Sequence, residues 1–429
     1  MWSGNRRTVL GKRSLNKETI RALDFFSGTV LCTLLTLHRR LFEGTARRQA
    51  ARVPSRRILF IKLIEQGATV LAYDAIRKAA ERVGRGNVFF CVFEENREIL
   101  DLMNVLPVEN VIVIRAGRLS VFLRDVWQAI RLVRRLRIDT TIDMEFLSRS
   151  SAILAYLMGA RRRVGLHRFS EEAPYRGDLM THRVLYNPFV HTARAYSLLV
   201  EALDADPGDA PLVKIPVGPP PQPAPPFSPQ PAELQRIQAL LDEVAGRRVE
   251  RPIVLLNPNC GDLLPLRRWP TERFVELGRR ILADHDGVTL VITGAPSERA
   301  AAEAVCRAIG SSRAINLAGR TTLREVLVLY DLADLMVTND SGPGHFASLT
   351  SIDSIVMFGP AAPSQFGPIG DRKQVLWAGL ACSPCANVYN HRFSTCTNNV
   401  CMQAITVDEV YARVHACLAA RMLATPAER

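Results

Sequence analysis

Between Thr338 and His345 the chain reads Thr338-Asn339-Asp340-Ser341-Gly342-Pro343-Gly344-His345, directly after the apolar run Leu335-Met336-Val337. Two glycines let a backbone approach a ligand closely, and a proline in a first helical turn gives up an amide that would lack a partner there anyway. The free amides of such a helix start, with its dipole, suit a phosphate or diphosphate. Each dipole contact contributes only about 0.3–1 kcal/mol, so cationic side chains are needed as well. Arg267 and Arg268 are candidates, close after the turn Asn257-Pro258-Asn259-Cys260-Gly261. Guanidinium pairs at the carboxyl end of a strand fit anion binding in an open α/β sheet. The plain alternative is a strand–turn–helix capped by Asp340 or Ser341. A third turn, Thr293-Gly294-Ala295-Pro296-Ser297-Glu298, offers a carboxylate that can accept ribose hydroxyls or serve as a first-turn helix charge.

Cys382, Cys385, Cys396 and Cys401 have a spacing compatible with tetrahedral zinc, with His391 able to replace one ligand. A second close cysteine pair is missing, so a redox-sensitive pairing and unligated thiols in a packed loop stay open. Arg131, Arg134, Arg135 and Arg137, then Arg161 to Arg163 with His167 and Arg168, make the first half basic. Solvated helix faces or contact with a phosphorylated or acidic acceptor both account for them. Aromatics are not interleaved as a nucleic-acid surface would need, so no nucleic-acid partner is expected.

The elements that must position these groups alternate strand and helix. Ile58–Ile61, residues 87–93, Val111–Ile114 and Thr140–Asp143 read as strands, with helices over 68–83 and 121–136. Alternation resumes after 250, with strands at Ile253–Asn257, 289–293, 335–338 and 354–358, and a last helix over Val407–Leu423. Such alternation predicts parallel α/β sheets. A proline-dense stretch from Pro207 to Pro231 predicts an extended connector. The expected division is an N-terminal extension over 1–56, an α/β domain over 57–205, a linker over 206–250, a second α/β domain over 251–405 and a C-terminal helix over 406–429.

The 429 residues exceed one ordinary core and suit two. A net charge of +13 favours anionic partners. Nine scattered cysteines and no apparent signal peptide predict a reducing, cytoplasmic setting. Within 1–57, Arg6, Arg7, Lys12 and Arg13 precede an apolar stretch from Phe25 to Leu37, and Arg39, Arg40, Arg47, Arg48, Arg52, Arg56 and Arg57 follow it. The stretch is too short to span a bilayer. It predicts a helix lying at a membrane surface, or one packed on the body.

In order and spacing, the turns Asn257-Pro258, Arg267-Arg268-Trp269-Pro270, Gly294 to Glu298, Asp340 to His345 and Phe358-Gly359-Pro360 resemble glycosyltransferase family 9, the ADP-heptose:lipopolysaccharide heptosyltransferases. The likeness is close over 250–405 and looser over 57–170, where Arg57 to Lys62 and Gly159 to Gly165 look like the family's first strand and a later Gly-Ala-basic-Gly turn. It implies the GT-B fold: two Rossmann-like domains with parallel sheets facing across a cleft. The donor would be a nucleoside-diphosphate sugar, ADP-linked by family default, bound mainly by the second domain. A glycan or lipid-linked acceptor would be bound mainly by the first, at the inner face of the cell membrane, and no cofactor would be required for catalysis. Carried onto this chain, Asp340, Ser341, Gly342, Gly344 and His345 meet the diphosphate, Arg267 neutralises the leaving group, and Asn257, Glu298 and Thr338 hold the ribose and base.

The chain departs from the family after the first strand. A Gly-Asp pair is usual there, its aspartate the candidate base, whereas this chain has Gly67-Ala68. Glu65 is the nearest substitute, with Asp74 and Glu145 behind it. The competing expectation is a noncatalytic nucleotide-sugar-binding protein in a membrane-associated glycan assembly; a phosphosugar epimerase of similar build is a third.

Overall fold

The computed structural model describes residues 17–43, 52–171, 173–219, 221–261 and 264–423. Arg6, Arg7, Lys12, Arg13, Arg47, Arg48 and Pro220 lie outside them, as does the end of the C-terminal segment. Elements of the first half are α1 (Lys17–Phe42), β1 (Ile58–Ile61), α2 (Gln66–Leu71), α3 (Tyr73–Val83), β2 (Val88–Phe93), α4 (Arg97–Met103), β3 (Val111–Ile114), α5 (Leu119–Arg135), β4 (Thr140–Asp143), α6 (Arg149–Leu157), β5 (Arg162–His167), β6 (His182–Leu185) and α7 (Thr192–Glu201). The second half follows with α8 (Pro231–Ala245), β7 (Ile253–Asn257), α9 (Thr271–Asp284), β8 (Thr289–Ile292), α10 (Arg299–Ile309), β9 (Ala314–Asn316), α11 (Leu323–Leu332), β10 (Leu335–Asn339), α12 (Gly342–Phe346), β11 (Asp353–Phe358), β12 (Lys373–Trp377) and α13 (Val407–Leu423).

Each half builds one six-stranded sheet, ordered β3-β2-β1-β4-β5-β6 and β12-β11-β10-β7-β8-β9. Every pairing is parallel. Counted within its own half, the second sheet repeats the order of the first, so both are doubly wound, and this is the two-domain GT-B architecture. Strand order reverses between β1 and β4 in one sheet and between β7 and β10 in the other. Ligands bind at the carboxyl ends of strands at such reversals. Helices cover both faces, so the central strands β1, β4, β7 and β10 are buried along their whole length.

Several sequence expectations change. One helix over 68–83 is two, α2 and α3, meeting at Ala72. Gly159 to Gly165 is not only a turn: Arg162 to Gly165 belong to β5, and Arg163 is fully buried, donating to Leu179 O, Ala160 O and Glu43. Arg162 and Arg163 therefore hold the fold together and do not face an acceptor. The segment expected as linker carries α8, whose Ile237 and Leu241 are fully buried against the second sheet. A capping box at Gln230 and Glu233, with proline in the first turn, starts that helix.

Helix α1 is longer than the apolar stretch that announced it. Its inner face packs on α6 and the segment after β5: Gly177 lies against Cys32, Thr36 Oγ1 accepts from the Asp178 amide at 2.9 Å, and Arg39 pairs with Asp178. The outer face leaves Phe26 and Leu41 about 70% exposed, at 71% and 68%, with Val30, Leu34 and Leu37 also open. No helix among the described residues is long and apolar enough to cross a membrane.

Candidate active site

Strand β1 delivers Lys62 into the interior, where it is fully buried. Its ammonium lies 3.1 Å from Glu145, just past β4, and 3.4 Å from Glu65. Burial works against that charge, but Glu145 and Glu65 outweigh it and hold Lys62 above its ordinary value. Glu145 is fully committed: its other oxygen accepts the amides of Leu63 (2.6 Å) and Ile64 (3.2 Å). It shapes the loop after β1 and is not available as a base. Asp74 is bound to Ser197 and Arg77 on α3, away from the cleft.

Glu65 caps the start of α2 in the left-handed region, φ 70°, which a side-chain-bearing residue holds only under constraint. Two cations supply one: Lys62, and Arg392 from the other half of the chain, which donates to Oε1 of Glu65. Burial alone would raise the Glu65 carboxyl; Arg392 and Lys62 outweigh it and hold it below the usual range.

Facing this loop across a cleft of about 370 Å³ stand Asp340, Ser341, Gly342 and His345, with Arg267, Arg392, Phe346 and Phe366. Glu65, Gln66, Gly67 and Ala68 form the opposing wall. Arg267 donates to Cys260 O at 3.1 Å and reaches Asp340 at 3.7 Å, while its buried Nε has no protein partner. Burial raises the Asp340 carboxyl, against Arg267 and Arg392. Burial also keeps His345 neutral, lowering it to about 4 with help from His191 and Arg267, and its Nδ1 lacks a protein partner. The helix behind this loop is short. Gly342–Phe346 passes directly into a 3-10 turn, and Ser341 makes no side-chain cap, its hydroxyl donating instead to Asn339 O. Its dipole is correspondingly small, and the arginines dominate the field.

The remaining candidates stand outside the lining. Gly344 packs its Cα toward Val356, where a Cβ would come within 3.2 Å. Thr338 is buried beneath the turn. Asn257 donates to Thr293 Oγ1 at 3.1 Å and accepts from the Asn259 amide at 3.3 Å, which shapes the turn after β7. Glu298 accepts the Ala295 amide at 2.7 Å at the first turn before α10, the capping role, and lies beside Gly294. Asn259 adds a buried side-chain amide without a protein partner, next to Gly294.

Asn339 belongs to the motif, but its residue type alone assigned it no role. Its Oδ1 accepts the Trp269 amide at 3.0 Å and its Nδ2 donates to Pro258 O at 3.0 Å, stapling the turn after β10 to the segment that carries Arg267. Arg392 went unnoticed.

The cysteines do not close into a ligand set. Cys382 and Cys396 are exposed, Cys385 faces Ser394 Oγ at 3.2 Å, and Cys401 is buried against Gly359. Among the described residues no three His, Cys, Asp or Glu side chains gather closely enough to hold a metal ion.

Glycosyltransferase family 9 (heptosyltransferase) matches residues 126–392 by its family profile. A lipopolysaccharide heptosyltransferase 2 of Salmonella typhimurium is 28% identical over 130 residues, 30% of this chain and 36% of that protein. The chain thus spans about a third of the length of the curated relatives it matches. Among solved structures, an ADP-heptose lps heptosyltransferase II of E. coli superposes with a TM-score of 0.64 at 18% identity, over 85% of this chain and 99% of that one. An E. coli heptosyltransferase WaaC with ADP gives 0.56 at 17% identity, over 84% and 99%.

Proposed function

Because the chain belongs to glycosyltransferase family 9, we propose that it transfers a sugar, heptose from ADP-heptose by family pattern, to a lipopolysaccharide-like or other glycan or lipid-linked acceptor, with inversion. One observation carries the reading: Glu65 on the first domain and the Asp340–His345 turn with Arg267 on the second line a single cleft. The solved relative that holds ADP supports an adenine nucleotide as donor.

In this reading Glu65 takes the proton of the acceptor hydroxyl. The acceptor oxygen bonds to the anomeric carbon while the bond from that carbon to the diphosphate breaks. Its electron pair leaves on the terminal phosphate, where Arg267 and the turn residues Ser341, Gly342 and His345 face the developing charge. Neutral His345 can donate or accept a hydrogen bond there without adding charge. Ribose and base fall to the outer turns, with Asn259 and Glu298 flanking Gly294 and Asn257 shaping that wall. No step asks for a cofactor. A structural zinc at Cys382, Cys385, Cys396 and Cys401 would need these side chains to draw together, and metal analysis of purified protein decides it.

The outer face of α1 is the membrane contact, at the inner, cytoplasmic face, with the exposed Arg40 at its end toward anionic head groups. A thermal-shift panel with ADP, GDP, UDP, CMP and TDP, followed by turnover with ADP-heptose, tests the function. Stabilisation by ADP and transfer abolished in Glu65→Gln are expected. Binding without turnover on any acceptor favours the noncatalytic reading, for which Ala68 in place of the family's aspartate is the supporting feature.

A further inference from the structure

Arg392 carries none of the turn signals that mark the other site residues. Its backbone is left-handed, φ 57°, as is that of His391 before it, φ 52°. Such a conformation persists in a non-glycine residue where contacts determine it. Here the loop's own main chain contributes, with the amides of His391 and Arg392 donating to Val388 O at 3.2 Å and Asn387 O at 2.7 Å, and the guanidinium makes the contacts that bear on the cleft. It lies 4.8 Å over the Phe366 ring and 6.0 Å from that of Phe146, and it donates across the cleft to Glu65. The aromatic faces hold the guanidinium plane while its edge points to the lining shared with Arg267, Asp340, Ser341 and His345.

Two guanidiniums and two carboxylates meet at this point, Arg392 on Glu65 and Arg267 beside Asp340. A diphosphate entering the cleft finds both arginines already facing carboxylates and must compete for them. Phosphate oxygens are strong partners for a planar guanidinium fork. A carboxylate held by two cations is also a poor proton acceptor, and losing one of the two restores its basicity.

We propose that Arg392 is a second diphosphate-binding guanidinium, shared between Glu65 and the donor, so that the Glu65 carboxylate is released to the acceptor hydroxyl only once the donor is in place. This rests on the donor-site reading above and adds an order to it. Donor entry draws Arg392 onto the phosphate and leaves Glu65 with Lys62 alone. The acceptor proton then goes to Glu65, and the electron pair of the broken sugar–phosphate bond goes to the diphosphate that Arg392 and Arg267 face. Without the donor, Glu65 stays paired.

Calorimetric titration of the full chain with ADP, and with adenosine as a control lacking phosphate, tests the exchange. Arg392→Gln is expected to weaken ADP about tenfold or more while leaving adenosine unchanged. Glu65→Gln is expected to tighten ADP, because its competitor for Arg392 is gone, and that gain should vanish in the double variant. An Arg392→Gln protein that binds ADP as tightly as wild type, or a Glu65→Gln gain that survives without Arg392, overturns the proposal. Should Arg392→Gln fail to fold, Glu65→Gln alone decides: ADP affinity equal to or below that of wild type overturns it. Wild-type protein that binds no nucleotide is a separate failure, that of the donor site itself.

Discussion

Gly67 lies directly against the imidazole of His345: a Cβ built on Gly67 would stand 2.6 Å from Cδ2, 3.2 Å from Cγ and 3.4 Å from Cβ of that histidine. The contact joins α2 of the first domain to α12 of the second. The two tight approaches are to ring atoms, while the distance to Cβ is ordinary van der Waals contact, so the imidazole or the turn that carries it must give way. Gly67→Ala should therefore push the Asp340–His345 turn away from the loop bearing Glu65. Global folding should persist, since neither Gly67 nor His345 belongs to a buried apolar cluster, although Val70 and Phe346 of the same two helices share one. The expected result is a melting temperature near that of wild type with ADP affinity reduced about tenfold, read by calorimetry. Unchanged affinity would show that the two walls close independently of this contact.

Asn339 holds the arginine segment in register with the diphosphate turn. Asn339→Ala removes the acceptor of the Trp269 amide and the donor to Pro258 O and Asn259 O. Leaving such buried groups without partners costs about 1–3 kcal/mol each. Urea denaturation should show a loss of that order, accompanied by weaker ADP binding as Arg267 loses its placement. For comparison, Trp269→Ala should cost about 3–5 kcal/mol, because Trp269 is fully buried and also ties Ile405 O at 2.9 Å. A destabilised Asn339→Ala with wild-type ADP affinity would separate the staple from the site.

The sequence made the central strands readable because a strand buried on both faces is a continuous apolar run. Ile58–Ile61, Ile253–Asn257 and Leu335–Asn339 are such runs, and each ends at the cleft. Strand β5 was hidden by Arg162 and Arg163, whose charges are met by main-chain oxygens and Glu43, partners far away in sequence. Edge strand β12 was hidden because its five residues are all partly or largely exposed and mix Lys373 and Gln374 with Val375, Leu376 and Trp377. The turn Asp340–His345 announced itself through local glycine and proline chemistry. The pairing of Glu65 with Arg392 could not, since 327 positions separate them and Arg392 sits in an irregular loop. Glu145 read as a spare carboxylate because its partners are the backbone amides of Leu63 and Ile64, which leave no residue-type signal.

Glu65 should set the acid limb of the pH–rate profile. Its carboxyl is held below the ordinary value by Arg392 and Lys62 against burial. In the free protein kcat/KM is thus expected to stay constant down through the normal carboxylate range and fall only below it. The same sign governs stability: the ion pairs contribute above the unfolded carboxylate value, and the contribution is lost as pH falls through the lower folded one. Arg392→Gln should move the acid limb upward. A limb in the same place in both proteins would assign the base elsewhere.

His182 predicts acid sensitivity from the first domain. Burial lowers it to about 3, with Arg162 and Arg163 adding to the effect, and its Nε2 lies 3.4 Å from Arg162, which requires an unprotonated ring nitrogen there. Below the ordinary histidine value the unfolded chain takes up a proton that the folded protein refuses, so stability falls as pH drops from neutral toward the folded value. The loss should be on the order of 1–2 kcal/mol by pH 5. Urea denaturation of wild type and His182→Gln at pH 7 and pH 5 isolates it, since every other group is common to both. Equal pH slopes would remove His182 as the cause.

The outer face of α1 predicts attachment to anionic membranes. Phe26, Val30, Leu34 and Leu41 are exposed on a helix whose opposite side is fixed by Cys32, Thr36 and Arg39, so they can be replaced without loosening the body. A soluble monomer rarely exposes so continuous an apolar stripe, and burying each side chain in the interface should strengthen binding about tenfold. The exposed Arg40 at the helix end adds an attraction that salt screens. Sedimentation with vesicles containing anionic lipid should therefore carry down the wild type, less so at high salt and far less with zwitterionic vesicles. The Phe26→Ser/Leu34→Ser/Leu41→Ser protein should stay in the supernatant while keeping its melting temperature and ADP affinity. The alternative occupant is a second copy of the chain. If wild type without vesicles sediments as a dimer, and the triple variant as a monomer, the stripe is a subunit interface and the membrane reading falls.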